Sequence, residues 1–258
     1  MVYPLGGQQW QERGPAGYTY AAVLVRGAGD GADAASAADA LAALRRIRFS
    51  GWVAAPEDGW LVAVAASGAG TVAAGRRGVV GVGARLAEVL RVPVLAVRVL
   101  ADRQLLLVLW ADGEEVGRYV SDPSHGFPAD EGVRSEPLGV EHAGALAAAC
   151  GHPEATDDLS ETLGEELDPD STIESERLSA VVHLLGLPGW LVAASSLPHD
   201  PPTGPRARDM TRLGAGVPGL PGRVCGRAVD VVRRRRPPPP AVTDPPRGRG
   251  GDIDPWLL

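Results

Sequence analysis

Apolar positions along residues 18–198 follow two rhythms, short near-continuous runs and repeats at helical spacing. The first run, Tyr18 to Arg26, reads as a buried strand. Ser36 and Asp39 have capping-box-like spacing and open a helix with Leu41, Leu44 and Ile47 on one face, running to about Arg48. Gly51 to Ala55 and Trp60 to Ala66 predict a hairpin turning at Asp58-Gly59, a favoured turn dipeptide. Val79, Val82, Leu86, Val89 and Leu90 predict a second helix, weakened by Gly78, Gly81 and Gly83 and ended by Pro93. Val94 to Leu100 and Gln104 to Ala111 are strands, and residues 105–110 are apolar on both sides, as in the middle of a covered sheet. Asp112-Gly113 turns that chain into a further strand, Glu114 to Ser121. Beyond Asp122 the rhythm is helical. Leu138 to Cys150 is alanine-rich, and Ser171 and Glu174 form a capping box before Leu178, Val181, Val182 and Leu185. Gly186 and Pro188 stop that helix, and Trp190 to Leu197 reads as an edge strand.

The order β-α-β-β-α-β-β-β predicts an α+β fold with a mainly antiparallel sheet, followed by C-terminal helices and a tail. Its first six elements match the order of a split β-α-β, ferredoxin-like unit. The expected arrangement places helices on one face of the sheet. Three regions follow: a flexible leader over 1–16, a globular domain over 17–198 and a disordered tail over 199–258.

Composition sharpens the last boundary. Residues 199–258 hold 12 Pro and 9 Gly, a fraction above the roughly 25–30% at which unperiodic Pro and Gly signal disorder. Val224, Ala228, Val231 and Val232 are the exception, a short stripe suited to forming on a partner. Charge divides at the same place. Residues 1–198 carry 14 Arg against 26 Asp and Glu, and residues 199–258 carry 11 Arg against 6 Asp. An acidic body thus precedes a basic tail. Arg233, Arg234, Arg235 and Arg236, followed by Pro237 and Pro238, make a charged and then a stiff docking segment.

Lysine is absent from the chain. This excludes a Schiff-base lysine, a matched Walker A site and a kinase-type ATP-anchoring lysine. Two cysteines, Cys150 and Cys225, are too few for a disulfide framework and fit a cytoplasmic protein. No signal segment or membrane span is legible. His142, Cys150 and His152 lack zinc-ligand spacing, so neither metal nor cofactor is expected.

Two constellations could hold a ligand. Gly27, Gly29 and Gly31 form a G-x-G-x-x-A stretch between a strand and a helix, with Glu57 or Asp58 placed for a ribose. Asp122, Ser124 and His125 bring nucleophile, base and acid types to one turn, although catalytic triads assemble from distant segments. Arg76 and Arg77, in a glycine-rich stretch before a helix, could also hold an anion. The basic tail allows nucleic-acid binding, yet it has no interleaved aromatics for base stacking. The expectation is a non-enzymatic protein-interaction or regulatory module that docks a protein partner through its tail. The alternative is an enzyme or sensor for a nucleotide or phosphate ligand at Gly27 to Ala32.

Overall fold

A computed structural model describes residues 18–27, 37–123, 136–166 and 173–234. The strands are β1 (Tyr20–Arg26), β2 (Gly51–Val53), β3 (Trp60–Ala65), β4 (Val94–Leu100), β5 (Gln104–Ala111), β6 (Glu114–Val120), β7 (Thr211–Gly214) and β8 (Val217–Pro218). They form one antiparallel sheet in the order β6-β5-β4-β1-β3-β2-β7-β8. Its central segment, β4-β1-β3-β2, joins strands connected as β-α-β-β-α-β, the split β-α-β element order expected from the sequence. The two connecting helices are α1 (Ala37–Arg46) and α2 (Val79–Leu90).

Side-chain alternation decides the layers. Val94, Ala96, Leu106 and Val108 face the layer of α1 and α2, whereas Leu95, Val97, Leu105 and Leu107 face the opposite one. The second layer holds α3 (Ala143–Cys150), α4 (Thr156–Gly164), α5 (Glu174–Leu184) and the 3-10 segment Gly189–Ser196. Helices therefore cover both faces of the sheet, a correction to the one-face arrangement. The apolar run over 105–110 requires it, since a strand without a polar side must be covered twice. Segment Gly189–Ser196 is a 3-10 helix where an edge strand was expected, and it caps the core with Trp190 and Leu191. In α2 the glycine that weakens the helical pattern makes room instead. A Cβ on Gly83 would stand 2.5 Å from the Trp110 ring.

The tight turns carry the expected chemistry. Asp58-Gly59 and Asp112-Gly113 both have positive φ at their two central positions, the condition that favours Asp-Gly there. Helix α5 starts differently from the capping-box expectation. Ile173 holds the N-cap position without a side-chain cap, and Ser171 lies outside the described residues. The cap comes from the β4–β5 turn, where Asp102 Oδ1 accepts from Ser175 N at 2.8 Å and Asp102 O from Glu174 N at 3.1 Å.

Residues 199–234 correct the domain boundary. Instead of belonging to a disordered tail, they supply β7, which pairs with β2, then β8 and the helix α6 (Gly219–Arg234). Met210 and Leu213 are buried, so two core residues sit inside a stretch whose average composition is that of a tail. Residues 235–258 and the leader lie outside the described residues.

The two thiols differ in surroundings. Cys225 is exposed and Cys150 is buried under the sheet. Burial pushes the Cys150 thiol from 9.0 up to about 12, with Arg26 acting weakly against it. Burial, and secondarily Asp102, also raises the Tyr20 phenol above 10.0. Both shifts leave the folded form protonated where the unfolded chain ionises. Stability should hold below pH 9.0 and fall as the pH rises toward 12. Cys150→Ala should flatten that fall in a series of thermal melts. In native protein a thiol reagent should titrate Cys225 alone, and both cysteines after denaturation. Equal native reactivity of the two would contradict the burial of Cys150.

Candidate functional site

The turn that follows α1 organises one end of the sheet. Arg48 adopts left-handed φ (57°), Phe49 is buried against Gly51, and Ser50 becomes a hub. Ser50 N donates to Val72 O (2.8 Å), Ser50 O accepts from Ala66 N (3.0 Å), and Ser50 Oγ accepts from Ala215 N (2.9 Å). Ala74 N donates to Ile47 O (2.9 Å) and Gly216 N to Phe49 O (2.7 Å). Three turns distant in sequence, at 47–50, 66–77 and 215–216, are thereby pinned to one another. Each bond satisfies a backbone or hydroxyl group that would be costly to leave unpaired.

Two clefts open beside this hub and share Thr71. One, of about 490 Å³, has a hydroxyl-bearing lining that includes Ser50, Ser67 and Ser195 beside Trp52. The Trp52 ring carries the Arg212 guanidinium 5.0 Å from its centroid. The other, of about 480 Å³, runs beneath α6 and is mainly apolar, with Ala73, Ala74, Val217 and Val229 in its walls and Arg48 and Arg76 beside them.

Helix α6 lies unusually close to β7. A Cβ on Gly214 would stand 1.8 Å from Gly222 O, and one on Gly222 would stand 1.8 Å from Val217 O. Glycine is therefore the residue that fits at both positions. At 3.6 residues per turn, Gly222, Cys225, Gly226 and Val229 share the docked face. Leu220, Val224, Ala228, Val231 and Val232 occupy an arc of about 120° on the other side. Leu220 and Val224 are each 72% exposed, and Val231 and Val232 are exposed as well. Arg223 and Arg227, both exposed, border that arc.

Compared with known families, curated proteins and solved structures, the chain matches none.

Among the described residues, Gly27 and Asp122 do not meet. Gly27 N donates to Gly59 O at 2.8 Å, so this amide is already used. β1 and β2 are separated by antiparallel β3, so they are not adjacent parallel strands as in a dinucleotide site. Glu57, the ribose candidate, accepts from Trp190 Nε1 at 2.9 Å. Asp122 is buried at the other end of the sheet, its carbonyl accepting from Gln104 Nε2 at 2.6 Å. The register from Gly27 back to Ala21, then across Arg98 and Leu106 to Val120, separates the two regions by roughly 20 Å at about 3.4 Å per residue. Gly29, Gly31, Ser124 and His125 lie outside the described residues. Arg233 and Arg234 belong to the last turn of α6, while Arg235, Arg236, Pro237 and Pro238 lie beyond the described residues.

Of the arginine pair noted in the glycine-rich stretch, Arg77 closes its own turn by donating to Ala74 O at 2.6 Å. Arg76 lines the apolar cleft. Arg48 and the inner face of α6 were not picked out from sequence, because nothing local distinguishes them. The helical spacing of Val224, Ala228, Val231 and Val232 was the one legible sign. Among the described residues no helix is long and apolar enough to cross a membrane.

Proposed function

We propose that the protein is a non-enzymatic docking module that captures an acidic protein segment on the outer face of α6. The observation that carries this reading is the concentration of exposed apolar side chains there. Four of the ten large hydrophobic residues left exposed among the described residues are on this one helix. Exposed apolar stripes rimmed by charge mark interaction surfaces. Arg223 and Arg227 set the sign of the partner, and the sequence continues into Arg233 to Arg236. A partner helix with leucine-like anchors and flanking carboxylates complements both features. The stripe contains no aromatic residue, which disfavours insertion into a lipid interface. It also disfavours stacking on single-stranded nucleic acid.

The test uses a labelled amphipathic peptide with leucines at helical spacing and glutamates between them. A lysine counterpart, anionic vesicles and duplex DNA serve as competitors for the assignment. The glutamate peptide should bind, and Leu220→Asp or Val224→Asp should each weaken it about tenfold, the effect of losing roughly 1.4 kcal/mol. Both side chains are exposed, so circular dichroism should be unchanged. Preference for the lysine peptide, the vesicles or the duplex would overturn the proposal, as would full affinity in both variants.

A further inference from the structure

We infer that the cleft beneath α6 binds a small amphipathic carboxylate, a hydrocarbon body carrying one anionic head. Its volume of about 480 Å³ lies within the range of ligand pockets, about 300–1,000 Å³. Its walls are alanine and valine from three elements, Ala73 and Ala74 from one loop, Val217 from β8, and Val229 and Val232 from α6. Such walls favour a hydrocarbon and offer little to a polar ligand. Arg48 and Arg76 supply the only charged groups that line the cleft among the described residues, and both are cationic. The local charge is thus opposite to that of the acidic body. A guanidinium has five donors in a fork that matches a carboxylate, so each can take an oxygen alongside its protein contacts.

The cleft is built in advance of any ligand. Arg48, Arg76 and Ala215 line it, and all three hold left-handed backbone, with φ of 57°, 59° and 52°. Residues other than glycine rarely adopt that conformation, and where they do it gathers at ligand clamps and other constrained sites. Here the conformation is held by the bonds around Ser50 and by Gly216 N to Phe49 O. The arginines therefore project from turns already fixed, and little ordering remains for the ligand to offset. The cleft faces the inner side of α6 and meets the outer stripe only at Val232; Leu220, Val224 and Val231 lie outside it.

Decanoate is the probe. It should raise the melting temperature of the full chain by about 5–10 °C at a hundredfold excess over its Kd, by mass action on the folded state. Decanol and inorganic phosphate should each give much smaller shifts, because one lacks the head and the other the body. The double variant Arg48→Gln/Arg76→Gln should weaken decanoate at least tenfold, and both side chains are exposed, so the fold should persist. Leu220→Asp, on the outer face, should leave decanoate affinity unchanged, which separates failure here from failure of the docking proposal. Absence of a shift with decanoate, an equal shift with decanol or phosphate, or full decanoate affinity in the arginine double variant would each overturn the assignment.

Discussion

Arg177→Met is expected to lower the free energy of unfolding by about 3–5 kcal/mol, the cost of leaving one member of a buried ion pair without its partner. Arg177 and Glu174 sit one turn apart on α5, their side chains 3% and 1% exposed, with Nε and Oε2 3.3 Å apart. The guanidinium does more than neutralise a carboxylate. It donates to Leu163 O at 2.8 Å, to Glu165 O at 2.7 Å and to the Tyr119 hydroxyl, which itself donates to Leu163 O. One side chain thus closes the end of α4, joins α4 to α5, and ties both to β6. Methionine would keep much of the packing while removing the cation beside Glu174 and the donor to Glu165 O; Leu163 O keeps the Tyr119 hydroxyl. Denaturant melts of Arg177→Met, Glu174→Gln and the double variant form a cycle. The double variant should recover part of the loss, because the stranded charge is gone. A loss below about 1 kcal/mol in Arg177→Met, the scale of an exposed pair, would show that the pair is solvated.

Gly222→Val should release α6 from the sheet without unfolding the domain. The new Cβ would stand 1.8 Å from Val217 O and 3.2 Å from Gly214 N, both backbone atoms that no rotamer change can move. Overpacking of flexible cores costs about 1–3 kcal/mol, and a backbone collision stands at or above the upper end of that range. The attachment of α6 is local, to β7 and β8, whereas the central sheet is held by two separate cores. Trypsin should therefore cut at Arg223 and Arg227 much faster in the variant, leaving a resistant body. Decanoate binding should be lost with α6. Unchanged cleavage would mean that the helix is not seated on the strands as described.

Local physics made much of the sheet legible. Asp58-Gly59 and Asp112-Gly113 announced hairpins because left-handed turn positions favour that dipeptide over most others. The run over 105–110 announced a strand buried on both sides. The candidate site was far less legible. Arg76 was noticed through its glycine-rich surroundings, but its partner Arg48 follows an unrelated helix, and the two meet because Ser50 draws the 66–77 loop and the Ala215 turn together. Gly27 and Asp122, each plausible in its own few residues, face opposite ends of the strands.

What the amino-acid sequence determined by itself was the type and order of the elements from β1 to β6, because backbone periodicity and turn stereochemistry act within a few residues. The tertiary structure alone decided where α5 begins, since its cap is Asp102, 73 positions before Ser175. It alone recruited β7 from a proline- and glycine-rich stretch, since three residues paired with β2 are invisible in an average over sixty. Hydrogen bonds and apolar burial are satisfied by whatever lies nearby in space, and sequence distance does not enter that condition.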